Sequence, residues 1–312
     1  MSNEEGKLLI QIAQMYYLEN KTQMEISREL HIHRSMISRL LKQSREKGIV
    51  KIVINYDKAG TGNLEEKIVA EYGIEKAIVV PAAEGMDTAQ IMVLLGEKTC
   101  EYLVEILQDD MILGFSWGAA MHGVANGMAE IQKKGITCVP LVGGPSGIER
   151  SDYHVNAIVY EASRNLNGRA LLIDAPAFPE TAELKRSLLE SDYNKMLIDY
   201  WRKLDVALFG IGSPSMIGSE RWSYFYGDKA IPNREDIAGD VLSRFFDSQG
   251  RPLESDLDDR VIGIDLTDLL RVRYRIAVAE SLQKLQAIQA ALRGGYITAL
   301  VTTQETAEAL VR

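Results

Sequence analysis

The stretch HIHRSMISRLLKQSREKGIV, residues 31–50, gathers arginines, lysines and hydroxyls in a chain of 312 residues whose formal charge is -9. Arg34 and Arg39 can each offer two parallel donors to guanine O6 and N7, while Ser35 and Ser38 can reach bases or phosphate oxygens. Thr22, His33 and Lys42 complete the candidate contacts with a DNA duplex. Charge is distributed to match: residues 1–51 carry +3 and the remainder -12. Such asymmetry suggests a nucleic-acid-binding piece attached to something that is not one. A second kind of chemistry is written in four polar or glycine-rich turns, GFSWG (114–118), GGPSG (143–147), GIGSP (210–214) and AES followed by LQK (279–284). Four such turns brought together would present backbone N–H groups without side-chain obstruction, which suits phosphate and sugar oxygens. Gly143, Gly144, Gly212 and Ser213 are candidates on that ground.

The elements that position the basic stretch are three short helices. Leu8, Leu9, Ile12, Met15 and Tyr16 recur at helical spacing and predict a first helix from Glu4 to about Glu19. Asn20 and Lys21 break it, and Thr22 with Glu25 forms a capping-box signature for a second helix with Met24, Ile26 and Leu30 inward. A third helix places Met36, Ile37, Leu40 and Leu41 on one side and Arg34, Ser35, Ser38, Arg39 and Lys42 on or near the other. The arrangement resembles a helix-turn-helix, with Ser27 at the close-packed position, His31 in the turn and Ile32 and Ile37 as apolar pins. His31 stands where glycine is usual, because the turn requires positive φ. His33 stands where Ser or Thr usually caps, so the cap is either shifted to Ser35 or weak. Gly48 ends this helix, and IVKIVINY (49–56) predicts a strand, either a wing or a piece lying against the helices.

DKAGTGN (57–63) reads as a linker between a DNA-binding domain, 1–56, and an effector domain, 64–312. Beyond it the amphipathic helix LEEKIVAEYGI is followed by the apolar strands KAIVVPA, DMILGFS, ITCVPLVGG, RALLIDAPA, DVALFGIGSP, VIGID, RIAVAE and ITALVTT. Helical stretches such as Thr88 to Leu107, Glu180 to Leu204 and Leu282 to Leu292 fall between them. Alternation of this kind predicts an α/β fold with a doubly wound, mostly parallel sheet covered on both faces. Such sheets bind ligands at the carboxyl ends of their strands, where the four turns lie.

These residues together carry a family resemblance. The helix-turn-helix, GFSWG, LVGG, FGIGSP, the stretch DIAGDVLSRFFDSQG (236–250) and the tail YRIAVAESLQKLQAIQAALRGGYITALVTTQETAEALV (274–311) are similar to the SorC family of sugar-responsive bacterial transcription regulators. The similarity spans essentially the whole chain, and the tail is its most specific part. It implies an effector domain similar in fold to sugar-phosphate isomerases that binds a phosphorylated sugar and assembles into dimers and tetramers. It places phosphate contacts on Ser116, Trp117, Gly118, Ser281 and Lys284, and a sugar-facing carboxylate on Asp240. Asn156 could add an amide. Lys284 fits on chemistry as well, as one cation near a helix start where a dianion would sit. The chain departs from the family at Glu280 and Ser281, where members often carry Gly-Gly. A carboxylate about 4 Å from a phosphate oxygen would cost on the order of 4 kcal/mol per charge pair at an effective dielectric near 20. Glu280 therefore points away from phosphate, bonds a sugar hydroxyl, or signals an unphosphorylated ligand.

The expected function is a transcriptional regulator of a carbohydrate-utilisation operon, binding double-stranded operator DNA under control of a sugar or sugar-phosphate effector. A homodimer or homotetramer is expected, since two recognition helices about 34 Å apart combine their preferences. The competing expectation is a sugar-phosphate isomerase or deaminase with an appended helical domain, which needs a general base. Of His31, His33, His122 and His154, two lie in the basic segment and neither other falls in a glycine-rich turn, leaving Asp240 or Glu280 as the base. A blander third possibility is a helical bundle for protein contacts. No catalytic residue, metal or cofactor is expected, and Cys100 and Cys138 read as two buried thiols. The acidic start MSNEEGK is unlike a secretory signal and no stretch is long and apolar enough for a membrane span, so the expected location is the cytoplasm.

Overall fold

A computed structural model describes residues 3–50, 61–81, 85–145, 151–214 and 235–312. The chain divides into two compact units, 1–56 and 57–312. In the first, α1 (Asn3–Ala13) widens into a π-helical turn over Gln14–Leu18, and α2 (Gln23–Leu30) and α3 (Arg34–Glu46) follow. Leu9, Ile12, Met15, Ile26, Ile37, Leu40 and Leu41 form its core. The predicted capping box is present: Glu25 N–H donates to Thr22 Oγ1 at 3.3 Å and Thr22 N–H to Glu25 Oε2 at 2.8 Å. His31 ends α2 in the left-handed region at φ 55°, the conformation the turn demands. Ser27 Oγ donates to the Ile32 carbonyl at 2.6 Å, which closes the turn on α2.

Two expectations fail here. Met24 and Met36 are exposed rather than inward. Met24 lies two residues from Ile26, about 200° around the helix, so the two cannot share a face. Met36 stays at the surface, where Arg39 Nη2 approaches its sulfur at 3.5 Å. At the end of α3, the amides of Ile49 and Val50 donate to the Ser44 carbonyl at 2.8 and 3.0 Å, which makes a turn of the start of the expected strand. Its remainder, 51–56, lies outside the described residues, as do residues 57–60 of the expected linker.

The second unit opens with α4 (Gly62–Tyr72), so Gly62 and Asn63 are helical rather than linker. Its sheet runs β1 (Lys76–Val80), β2 (Ile112–Phe115), β3 (Thr137–Pro140), β4 (Arg169–Ala170), β5 (Val206–Phe209), β8 (Tyr274–Val278) and β9 (Ala299–Thr303). The spatial order is β1-β9-β8-β5-β2-β3-β4, with every pairing parallel. Val206–Phe209 are buried throughout, as a central parallel strand covered on both faces requires. Between β5 and β8 a hairpin forms from β6 (Gly239–Val241) and β7 (Arg244–Phe246). Three expectations are corrected. Residues 261–265 are not a strand, and contribute only an antiparallel bridge from Gly263 to Val142. The stretch 180–204 is two helices, α8 (Ala182–Leu189) and α9 (Asp192–Trp201), because Ser191 stops one and caps the next. The stretch from Leu282 opens as a single 3-10 turn to Lys284 before becoming α-helical.

From β2 the chain steps through β3 to β4 toward one edge, and from β5 through β8 to β9 toward the other. Right-handed crossovers then place α5 (Thr88–Ile106), α6 (Ala119–Gly127) and α7 (Val155–Asn165) on one face and α8, α9 and the helix Leu285–Arg293 on the other. The reversal falls between β2 and β5. One of the walls beside it is set by glycine. A Cβ on Gly96 would stand 2.4 Å from the Gly123 carbonyl, and one on Gly123 would stand 2.4 Å from the Met92 oxygen, so α5 and α6 touch backbone to backbone. Gly123→Ala should therefore cost about 1–3 kcal/mol through overpacking. Urea unfolding followed by tryptophan fluorescence reports on this unit, since all three tryptophans fall in residues 57–312. An unchanged midpoint would contradict the close contact.

Candidate functional site

The carboxyl ends of β2, β5 and β8 and the β6–β7 hairpin enclose a cavity of about 370 Å³. It is lined by Ser116, Trp117 and Gly118 after β2, by Gly210, Ile211 and Gly212 after β5, and by Ala279, Glu280 and Lys284 after β8. Thr88 and Met92 of α5 and Ala119 and Ala120 of α6 form one wall, and Asp240, Leu242 and Ser243 of the hairpin form another. The volume falls in the range of small-ligand sites, and the position is the switch point where doubly wound sheets bind them.

The loops take their shape from local constraints. Ser116 N–H continues the sheet ladder to the Leu208 carbonyl at 2.9 Å, and its Oγ accepts from Gly210 N–H at 3.3 Å, tying the ends of β2 and β5 together. Gly118, at φ 104°, starts α6 without any side-chain cap. Its own amide is spent on the Tyr153 carbonyl at 3.1 Å, leaving the first-turn amides of α6 at the cavity that Ala119 and Ala120 line. Gly212 exchanges backbone bonds of 3.0 and 3.1 Å with Asp240, and a Cβ on it would stand 1.8 Å from Asp240 Oδ1. Glycine here is what admits the carboxylate.

The hairpin turn is strained. Leu242 and Ser243 both have positive φ, 53° and 66°, in a two-residue turn that ordinarily takes Asn-Gly. Both are buried. Ser243 N–H donates to Asp240 Oδ2 at 3.1 Å, whereas its buried Oγ has no hydrogen-bond partner among the described residues. A buried hydroxyl without a partner costs free energy, and such atoms concentrate at sites completed by a ligand or an ion.

Three ionisable groups meet in this cavity. Burial pushes the Asp240 carboxyl up to about 6, although the Ser243 amide and Lys284 pull it down. Burial likewise raises Glu280 against the pull of Lys284, and lowers Lys284 against Glu280 and Asp240. None of the three makes an ion pair within 4.0 Å among the described residues, so the space between them is not closed by direct pairing. Among the described residues no arginine or histidine lines the cavity.

Seven of the expected effector residues thus come together: Ser116, Trp117, Gly118, Gly212, Asp240, Glu280 and Lys284. Five do not line the cavity. Gly143 and Gly144 spend their amides on the carbonyls of Ile262 and Ala175 at 2.8 and 2.9 Å, and their missing Cβ atoms make room for the Pro176 backbone and the His154 ring. Asn156 uses both ends of its amide on the backbone of Ile173, at 2.9 and 3.0 Å. Ser213 is buried beside the loop. Ser281, at φ 100°, caps the following 3-10 turn by accepting from Gln283 N–H at 3.2 Å. Thr88, Met92, Leu242 and Ser243 escaped sequence reasoning because they reach the cavity from elements that carry no loop motif. The adjacent positive φ angles at Leu242 and Ser243 had no glycine to announce them.

In the first unit, Arg34, Ser35, Ser38, Arg39 and Lys42 are all exposed along α3. The helix starts at Arg34 with no side-chain cap, and His33 Nδ1 lies 2.9 Å from Ser35 Oγ, so the start is not shifted. Thr22 and Arg34 share an open depression with Tyr16, Tyr17 and Lys21, though the Thr22 hydroxyl is already donated to Glu25 at 2.8 Å.

Comparison with known proteins supplies the identification. Residues 57–312 match the family model described as "Putative sugar-binding domain". The chain is 36% identical to the sorbitol operon regulator of Klebsiella pneumoniae over 100% of its own length and 99% of that protein. It is 32% identical to the deoxyribonucleoside regulator of Bacillus subtilis (strain 168), covering 100% and 99%. The chain belongs to the SorC family of transcriptional regulators. The crystal structure of full-length SorC from Klebsiella pneumoniae superposes with a TM-score of 0.79 over 98% of both chains. The resemblance seen in the motifs therefore extends to the three-dimensional fold.

Elsewhere, Cys100 and Cys138 are buried and not joined in a disulfide, and burial pushes the Cys138 thiol up to about 12, far from any nucleophilic role at neutral pH. Among the described residues no cluster of three or more His, Cys, Asp or Glu is arranged to hold a metal, and no helix is long and apolar enough to cross a membrane.

The buried Asp240 carboxyl makes stability depend on pH. An acid whose pKa is raised on folding, here from 3.8 to about 6, binds more protons folded than unfolded between those values. Stability then falls as pH rises through the window, and the cost is complete above it. The ligand-free Asp240→Asn protein should melt above the wild type at pH 7.5, with the gap narrowing as pH falls through about 6. A gap that widens on acidification would show the carboxylate to be stabilising instead.

Proposed function

We propose that the chain regulates a carbohydrate-utilisation operon: residues 1–56 bind operator DNA, residues 57–61 link, and residues 62–312 bind a sugar effector and assemble the subunits. The observation that carries this reading is the union, in one chain, of an exposed guanidinium and hydroxyl face on α3 with a sugar-sized cavity, holding Asp240, Glu280 and Lys284, at the switch point of a parallel sheet. Arg34 and Arg39 read base edges, Ser35 and Ser38 contact bases or phosphate, and Lys42 contacts phosphate. The uncapped start of α3 accepts a phosphate as well. In the cavity, Asp240 accepts from effector hydroxyls and Lys284 supplies the cation. The relatives' names, a sorbitol operon regulator and a deoxyribonucleoside regulator, support a carbohydrate-derived effector.

The effector acts by differential affinity for two arrangements of a homodimer or homotetramer, which is the only way a ligand can shift such an equilibrium. The protein works in the cytoplasm, without cofactor, metal or turnover. Fluorescence anisotropy with promoter DNA tests both halves. Arg39→Ala should weaken binding by about 1–3 kcal/mol at one base pair and relax selectivity there. Lys284→Met should remove the change in operator affinity that sugar produces in the wild type. Wild-type selectivity in the first variant, or a wild-type sugar response in the second, would contradict the assignments.

A further inference from the structure

Resting on the reading of the switch-point cavity as a sugar site, we propose that its effector is an uncharged sugar or polyol, and that Glu280 is the residue that turns phosphate esters away. Glu280 lines the cavity beside Asp240 and Lys284, and these are its charged side chains among the described residues. Two carboxylates thus face one ammonium, with no arginine or histidine among the described residues to offset the excess. The start of α6 contributes the equivalent of roughly half a positive charge, too little to reverse the sign. Burial, not mutual repulsion, holds both carboxyls above their usual range against the pull of Lys284. A phosphate dianion entering such a site meets repulsion from two groups and attraction from one.

The other lining groups suit hydroxyls. Glu280 makes no ion pair or hydrogen bond among the described residues, and only Oδ2 of Asp240 accepts one, from the Ser243 amide. Carboxylates in that state accept from sugar hydroxyls, which have protons to donate, whereas a phosphate dianion has none. The buried Ser243 Oγ, also without a partner, can both donate to and accept from a hydroxyl. Trp117, Met92, Leu242 and Ile211 offer apolar surface for the C–H faces of a sugar.

Isothermal titration of the full chain separates the possibilities. The probes are a panel of free pentoses, hexoses and hexitols, each beside its phosphate ester, with inorganic phosphate as a separate arm. The wild type should bind its best free member at least about tenfold more tightly than the corresponding ester, a ratio set by charge repulsion. Inorganic phosphate should not compete. In Glu280→Gln the preference should shrink by about tenfold or invert as one of the two repelling charges is removed. An ester that binds the wild type more tightly than its free sugar overturns the proposal while leaving the sugar site intact. So does an unchanged ratio in Glu280→Gln. If Glu280→Gln does not fold, as judged by its melting curve, the wild-type ratio and Glu280→Ser decide the same question. If no member binds in either form, or if binding persists undiminished in Asp240→Asn, the assignment of the cavity itself fails and the proposal with it.

Discussion

The parallel sheet reverses its winding between β2 and β5, and everything that follows in the second unit depends on that reversal. Neighbouring strands whose chains leave toward opposite faces cannot have their outlets covered by one helix, so a crevice opens at their carboxyl ends. The sequence fills its rim with residues that keep it open. Gly118 supplies a positive φ, Gly212 admits the Asp240 carboxylate, Gly96 and Gly123 draw α5 and α6 together behind it, and the hairpin turn at Leu242 and Ser243 holds a strained conformation beside it. Strain and unpaired polarity concentrated at one place mark a site selected for binding rather than stability.

The two units illustrate opposite uses of charge. On α3 the cations stand in water, where they cost nothing to expose and can trade counterions for DNA phosphates. At the switch point Asp240, Glu280 and Lys284 are held partly out of water, where each is displaced from its ordinary pKa by burial. A ligand whose hydroxyls bond those groups offsets part of the cost of their burial. That gain is available to bias one quaternary arrangement over another.

Much of this was legible in the sequence. The capping box at Thr22 and Glu25, the turn at His31 and the order of strands and helices followed from short-range patterns whose physics is local. So did the convergence of Ser116, Gly212 and Glu280, because carboxyl ends of parallel strands lie on one side of the sheet. What escaped is set by tertiary packing. VIGID has the apolar, β-branched composition of a strand but finds only a single bridge, at Gly263. The hairpin 239–246 has strands too short to show a period and a Leu-Ser turn that sequence rules assign to neither turn nor loop. Gly143 and Gly144 look like ligand loops until the Pro176 backbone and His154 are seen pressed against them. Met24 and Met36 were drawn inward by hydrophobicity, whereas helical geometry and the reach of Ile26 and Ile37 leave them outside.

The most direct test of the account is a crystal structure of the full chain grown with its effector sugar. Density is predicted between Asp240, Glu280 and Lys284, with a ligand hydroxyl within hydrogen-bond distance of the Asp240 carboxylate and another meeting the Ser243 hydroxyl. Density for the sugar elsewhere, with Asp240 still bonded only to the Ser243 amide, would contradict it.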